Sequence, residues 1–368
     1  MAKLLGQIKE NNLLLIDKNF WYKKKVLITG HSGFKGSWLS LWLQNMDVKV
    51  YGISLPPKKK LNLFNAAKVN EKMISYFCNI CDYDLVKKYI NKIKPDIIIH
   101  MAAQSLVRHS YINPIETYST NVIGTLNILE IARKVKSVKV VLNITSDKCY
   151  ENTKRSKPYK EHEPLGGYDP YSSSKACSEI LTNSYRKSFY ANAGIALASA
   201  RAGNVIGGGD WSDDRLIPDI IRGFKKKKIV LIRFPNSIRP WQHVLDPLLG
   251  YILLAEKLYK KGPSFTGAWN FGPDQSDAKT VKWITQRMSD LWGGTPKWKI
   301  DKKNNFHEEK YLELNCSKAK KYLNWKPKLK IDDSLKMVVE WYRAFLSKKN
   351  MKSFTIRQIE NFIERDSI

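Results

Sequence analysis

The sequence predicts an α/β fold built on a doubly wound parallel sheet, and three observations predict it. Short β-branched runs alternate with helical patterns through residues 21–202. The run Val26-Leu27-Ile28-Thr29 leads into Gly30-x-x-Gly33-x-x-Gly36 and then into another helical pattern. Past residue 203, glycine, proline and tryptophan rise and the elements shorten. Alternating strands and helices require parallel strands with helices on both faces. Right-handed crossovers then place ligands at the carboxyl ends of the strands. The expected architecture is Rossmann-like, with a smaller mixed α/β lobe laid over the carboxyl edge of the sheet.

The elements follow in order. Residues 1–20 read as a leader that packs on the domain or frays; Leu13-Leu14-Leu15-Ile16 is too short for a secretory core and is closed by Asp17. In the glycine string, Gly30 permits the turn, Gly33 lets backbone amides approach a pyrophosphate, and Gly36 allows close helix–strand packing. Its helix carries Phe34, Trp38 and Trp42 on one face. Strands are expected at 48–54, 73–80, 96–101, 138–145 and 195–201, and helices at 82–93, 114–136 and 168–190. The lobe spans 203–350, with helical patterns near 216–226, 245–260, 280–291, 317–323 and 333–346; residues 351–368 form a C-terminal segment. The boundary at 203 is approximate, because the two lobes can interleave.

Composition narrows the functional classes. A chain of 368 residues with 43% hydrophobic residues and 11 tryptophans builds a packed core rather than a disordered one. The five cysteines, scattered and odd in number, suit reduced thiols and a cytoplasmic location. Cys78-x-x-Cys81 has no second pair, so no metal site is expected. Net charge is +29, carried in lysine blocks at 23–25, 58–60 and 225–228 that no aromatic residues interleave. That pattern reads as a solvated surface that gathers anionic small substrates, not as a nucleic-acid module. No apolar run approaches the length of a membrane span.

Tyr171 and Lys175 stand four apart and share a helix face. An ammonium beside a phenol favours phenolate, so Lys175 is expected to lower the Tyr171 pKa and make it a base for a sugar hydroxyl. The spacing recurs at Tyr83/Lys87, Tyr150/Lys154 and Tyr322/Lys326. Position selects Tyr171: it follows the fifth strand and opens a helix after Asp169-Pro170.

Gly30-x-x-Gly33-x-x-Gly36, His100-Met-Ala-Ala-Gln104, Thr145-Ser-Asp-Lys-Cys-Tyr150 and Tyr171-x-x-x-Lys175 resemble, in order and spacing, the extended short-chain dehydrogenase/reductases, the NAD-dependent epimerase/dehydratase family. Thr29–Trp38, Asn143–Tyr150, Arg201–Trp211 and Ile238–Val244 are similar to the strings of its CDP-glucose 4,6-dehydratase branch. The resemblance runs from Phe20 to about Leu346. It implies that Tyr171 takes the 4-hydroxyl proton of CDP-glucose as hydride passes to NAD⁺, with Ser146 on the 4-oxygen and Lys175 on the nicotinamide ribose. A base then removes the C5 proton, Asp147 protonates the departing 6-hydroxyl, and hydride returns to C6. It further implies a cofactor site of Gly30, His31, Gly33, Phe34, Gly36, Ser54, Asn79, Ala102, Gln104, Tyr171 and Lys175. Substrate contacts would come from Ser146, Asn204, Arg215 and Arg239. The helices at 114–136 and 168–190 would form a four-helix homodimer interface.

Two residues depart from the family pattern. Lys148 stands where related dTDP-glucose dehydratases carry a glutamate. A lysine acts as the C5 base only when neutral; otherwise it stabilises an enolate or orients substrate. Ser54, followed by Lys58–Lys60, stands where an acidic residue usually holds the adenosine ribose, and this leaves NADP open beside NAD. Two other classes compete with the dehydratase: a related dTDP- or GDP-sugar dehydratase or a 4-epimerase, and a non-catalytic nucleotide- or nucleic-acid-binding protein on the same fold. Asp147 beside Tyr171 and Lys175 favours elimination.

Overall fold

The computed structural model describes residues 15–365 except 154, 156, 294–297 and 302–311. Its centre is a seven-stranded sheet, all parallel. The strands are β1 (Lys25–Thr29), β2 (Lys49–Ser54), β3 (Met73–Phe77), β4 (Ile97–His100), β5 (Val140–Ile144), β6 (Ala196–Ala202) and β7 (Gly267–Phe271), in the spatial order β7-β6-β5-β4-β1-β2-β3. β4, β5 and β6 are buried at every residue, the polar His100, Asn143, Ser199 and Arg201 included.

Period-two alternation divides the strands between two apolar layers. Val26, Ile28, Ile97 and Ile99 pack with α1 (Phe34–Gln44) on one face. Leu27, Ile98, Val141 and Leu197 pack on the other with Val86 and Ile90 of α2 (Tyr83–Ile93), and with Ile128 and Ile131 of α3. α3 is a continuous run: Pro114–Tyr118, a π turn at Ser119–Ile123, then Gly124–Ala132. The π turn carries Asn121, whose side chain donates to the Gln104 carbonyl and to the Ser174 hydroxyl, both at 2.9 Å. α4 (Pro170–Tyr185) starts where its sequence dictates. Asp169 caps it by accepting from the Ser172 amide at 2.9 Å, and Pro170 occupies the first turn, where its missing N–H costs nothing.

The chain past residue 203 does not stay outside the sheet. β7 pairs with β6 at the edge, and α6 (Leu245–Lys261) packs against β5 and β6. α5 (Leu216–Lys225), α7 (Val281–Trp292), α8 (Ser317–Leu323) and α9 (Ile331–Leu346) correspond to the helical patterns read from the sequence. A further helix, α10 (Met351–Glu364), seats Phe362 against Trp42 of α1, ring centres 5.7 Å apart. Residues 1–14 of the leader lie outside the described residues, whereas Ile16 and Trp21 are buried and Trp21 Nε1 donates to Glu256 at 3.2 Å. Among the described residues no helix is long and apolar enough to cross a membrane.

Asp246 of α6 makes stability depend on pH. One carboxyl oxygen accepts the Lys328 amide at 2.7 Å, and the other is buried without a hydrogen bond among the described residues. Burial pushes its pKa from 3.8 up to about 8, against the pull of that amide. A carboxyl raised in the folded state ionises first in the unfolded chain. Folding therefore loses about 1.4 kcal/mol per pH unit from this group as pH climbs from 3.8 towards 8. Asp246→Asn is expected to flatten that slope. Thermal melts near pH 5 and pH 8 check it: the variant should gain on the native chain only at the higher pH.

Candidate active site

A cleft of about 580 Å³ runs along the carboxyl ends of the strands. The glycine string, the turn after β5, the start of α4 and the segment 203–219 wall it. Of the residues singled out in the sequence, Gly30, Gly33, Phe34, Gly36, Asn79, Ala102, Ser146, Asp147, Lys148, Tyr171, Lys175, Asn204, Arg215 and Arg239 line this cleft together.

Three singled-out side chains do not line it. The His31 ring is fully buried and lies against Gly52 of β2, where any Cβ would meet it at 2.3 Å. Burial takes its pKa down to about 4, so it is a neutral packing group. Ser54 is buried and donates to Ser32 Oγ and to the Leu55 carbonyl, both at 2.9 Å. Gln104 turns back to donate to the Leu106 carbonyl and Thr117 Oγ1. Of the lysines that follow Ser54, Lys58 lies 3.9 Å from Glu116 and Lys59 pairs with Asp213.

The glycines act by proximity. A Cβ on Gly36 would lie 2.2 Å from the Gly30 carbonyl oxygen, and one on Gly30 would lie 2.8 Å from the Ala102 backbone. The loop thus closes against β4, and α1 begins at Gly33 without a side-chain cap. Its first-turn amides are left for an anion.

The catalytic turn follows β5. Ser146 Oγ donates to Asp147 Oδ1 at 2.9 Å and accepts the Lys148 amide at 3.2 Å. Burial pushes the Asp147 pKa up, against the charge of Lys148 and the Ser146 hydrogen bond. No Asp147–Lys148 ion pair forms among the described residues, so Asp147 is free to hold a proton. Gly203 makes its room, since a Cβ there would sit 2.6 Å from Asp147 Oδ2.

The expected effect of Lys175 on Tyr171 is corrected. Burial pushes Tyr171 up to about 12, and the groups pulling it down are the Ser146 hydroxyl and Arg215. Lys175 is itself brought down to about 8 by burial, against Glu179 and Cys149, with its Nζ 3.4 Å from the Ile144 carbonyl. Four-residue spacing places the two on one face without making the ammonium the main partner of the phenol.

Several working residues carry no motif. Glu179, one turn after Lys175, pairs with Arg201 of β6 at 2.7 Å and accepts from Thr145 and Ser199. Burial raises Glu179, but Arg201 outweighs it and holds the carboxyl ionised. Arg201 also donates to Tyr150 at 2.7 Å, so one buried network grips both ends of the turn that carries Ser146–Lys148. Arg215 is held by Asp210 at 3.0 Å and by Ser105 at 2.9 Å. Arg108 and Arg233 meet at Asp214 on the rim. Lys35, inside the glycine string, also lines the cleft, donating to the Tyr251 hydroxyl at 3.0 Å. The one sequence signal for that pair was a phenol within the apolar run Leu248–Leu254, which needs a polar partner when buried.

The sequence model of the GDP-mannose 4,6 dehydratase family matches residues 27–338. The chain is 49% identical over 354 residues to a CDP-glucose 4,6-dehydratase of Salmonella typhimurium, covering 95% of this chain and 99% of that protein. It is 26% identical to a dTDP-glucose 4,6-dehydratase of Haemophilus influenzae, covering 86% of this chain and 97% of that one. Among solved structures, dTDP-glucose 4,6-dehydratase from Streptomyces venezuelae with NAD and TYD bound superposes with a TM-score of 0.75 at 23% identity, over 88% of this chain and 98% of that one. The Bacillus anthracis dTDP-glucose 4,6-dehydratase in complex with NAD gives 0.73 at 22%, over 89% and 98%. The fold, the cleft and these matches agree, and the chain belongs to the GDP-mannose 4,6 dehydratase family.

Proposed function

We propose that the chain is a hydro-lyase that converts CDP-glucose to CDP-4-keto-6-deoxyglucose, with NAD held through each turnover. The observation that carries this reading is the meeting of Tyr171, Ser146, Asp147 and Lys148 in one cleft with an uncapped helix N-terminus. That N-terminus and the close-set glycines fit a dinucleotide, whose diphosphate the first-turn amides of Phe34 and Lys35 would hold. NAD, when bound, supplies the hydride acceptor and returns the hydride.

The side chains do the proton work. Tyr171 accepts the 4-hydroxyl proton, and Ser146 donates a hydrogen bond to the 4-oxygen as it becomes a carbonyl. That carbonyl acidifies C5–H. Lys148, partly exposed at the cleft, removes the C5 proton; Asp147, whose pKa burial raises, protonates the departing 6-hydroxyl, which leaves as water. Arg215 and Arg239 line the cleft and suit the substrate diphosphate. Purified protein incubated with CDP-, dTDP-, UDP- and GDP-glucose and NAD⁺ tests the reading. Only CDP-glucose should yield the alkali-absorbing 4-keto-6-deoxy product efficiently; equal turnover of dTDP-glucose would remove the base assignment.

A homodimer is part of this reading. Ile112, Ile115, Tyr118, Ile123, Ile180 and Phe189 are exposed along α3 and α4 and the turns that flank them, with Ile115 82% exposed. A clustered apolar face of that kind fits a second copy of the same face. Ile115→Glu with Ile180→Glu is expected to turn a dimer into a monomer in sedimentation velocity. A monomeric native chain would remove the proposal.

A further inference from the structure

The turn that carries Ser146, Asp147 and Lys148 holds its own shape only weakly. Its backbone bonds are long: the Cys149 amide is 3.4 Å from the Ser146 carbonyl, and the Tyr150 amide is 3.3 Å from that of Asp147. Past the turn, the Gly166 amide donates to the Cys149 carbonyl and the Glu151 amide to the Pro164 carbonyl, both at 3.0 Å. Those ties reach a loop and not α4, where Tyr171 sits. The ties to α4 are made by side chains. Tyr171, Lys175 and Glu179 follow one another at four-residue steps along one face of α4. The Glu179 carboxylate accepts the hydroxyl of Thr145, the residue before Ser146. The same carboxylate pairs with Arg201 of β6 at 2.7 Å, and Arg201 donates at 2.7 Å to the hydroxyl of Tyr150, the residue after Cys149. The Arg201 guanidinium also lies 4.7 Å from the centre of the Tyr150 ring, and the Tyr150 hydroxyl donates to Asn270 of β7 at 2.9 Å. Glu179 and Arg201 are each 3% exposed, so water does not compete for these bonds. A buried ion pair adds little to stability over an apolar pair of the same size. Stability therefore does not account for this one, whereas its place between the two ends of the turn does.

We propose that Glu179 and Arg201 are a positioning pair that keeps this turn in register with Tyr171, through Thr145 on the Ser146 side and through Tyr150 on the Lys148 side. The inference rests on the dehydratase reading above, which gives Ser146 to the oxidation and Lys148 to the elimination. Neither Glu179 nor Arg201 lines the cleft, so the pair acts only through the residues it holds. Its two ends serve different steps. Freeing Thr145 loosens the Ser146 side, where the 4-oxygen is bound. Freeing Tyr150 loosens the Lys148 side, where C5–H is met. Small displacements suffice, because a misplacement of about 1 Å costs about 10²-fold in rate.

The test separates the steps in single turnovers of the NAD-loaded chain with CDP-glucose. Absorbance of reduced nicotinamide reports C4 oxidation, and deuterium uptake at C5 reports proton removal. Tyr150→Phe keeps the ring and removes the oxygen that Arg201 holds. It is expected to slow C5 exchange about tenfold relative to oxidation, so that reduced nicotinamide accumulates. Thr145→Val is expected to slow oxidation about tenfold, with no reduced nicotinamide accumulating, and Thr145→Ser, which restores the hydroxyl, should restore the rate. Each variant tests its own end, so failure of one to fold leaves the other decisive. Arg201→Lys keeps the charge but lacks the fork that holds Glu179 and Tyr150 together, so both steps should slow. Ser199→Ala removes a 2.7 Å bond to Glu179 that reaches neither end of the turn. It should lower the melting temperature and leave the ratio of the two rates as in the native chain. A pair that only supports the fold predicts lower melting temperatures with that ratio unmoved in Tyr150→Phe and Thr145→Val, and this result would overturn the proposal. A native chain that neither reduces nicotinamide nor exchanges C5–H with CDP-glucose would instead remove the dehydratase reading.

Discussion

Tyr171→Phe is expected to abolish C4 oxidation while leaving nucleotide-sugar binding nearly intact. The substitution removes one phenol oxygen and keeps the ring, so the cleft wall is preserved. Tyr171 is 8% exposed and sits at the start of a helix anchored by the Asp169 cap, whose position does not depend on that oxygen. Loss of a positioned base costs about 10²–10⁴ in rate. The ordinary phenol value is 10.0, and burial lifts Tyr171 to about 12. A base that is protonated at neutral pH works better as pH rises, so the single-turnover rate of nicotinamide reduction should climb with pH in the native chain. Bound NAD⁺ adds a cation that favours the phenolate and moves the climb to lower pH. Tyr171→Phe should lose both the rate and the climb while isothermal titration still reports CDP-glucose binding. Native-like turnover in that variant would end the role.

How much of this was legible in the sequence follows from what each signal depends on. β1, β4, β5 and β6 were legible as short, mostly apolar runs buried at nearly every residue, whereas β2 and β3, with exposed and half-buried positions, were legible from their place in the alternation of strands and helices. β7 was not: Gly-Ala-Trp-Asn-Phe has no β-branched residue, and its place beside β6 is set by pairing across the 64 residues between Ala202 and Gly267. The start of α4 was legible because capping is local chemistry, and Asp169-Pro170 specifies it. The string Thr145–Tyr150 and the Tyr171/Lys175 pair located the chemistry. Their electrostatics were not legible, because a pKa depends on what buries the group and what faces it from other elements. Thus Lys175, four residues away, mattered less to Tyr171 than Ser146, twenty-five residues back, and Arg215, further on. His31 shows the converse error. It sits in the string whose backbone turns towards the cleft, yet its ring turns back under Gly52. Lys35 and Tyr251, far apart in the chain, offered only the phenol inside an apolar run as a signal, and their pairing needed α1 and α6 packed together.

Lys148→Met is expected to stop elimination while still permitting C4 oxidation. Lys148 lines the cleft beside Asp147 in a short turn whose shape comes from Ser146, since Ser146 Oγ accepts the Lys148 amide. The side chain contributes nothing to that hydrogen bond, so methionine keeps the turn and the apolar stem and removes the amine alone. If the amine is the C5 base, the 4-keto-glucose nucleotide and reduced nicotinamide should accumulate on the enzyme, and turnover should fall by about 10²–10⁴. Lys148→Glu should recover part of the elimination, because a carboxylate is also a base. Its shorter reach limits the recovery, and so does its charge, which would push Asp147 further up. An amine that only orients substrate predicts something else: a raised KM, with C5–H still exchanging with solvent. Single-turnover absorbance of reduced nicotinamide, read together with deuterium uptake at C5, separates the two. Undiminished C5 exchange in Lys148→Met would remove Lys148 as the base and leave Asp147 to act with a bound water.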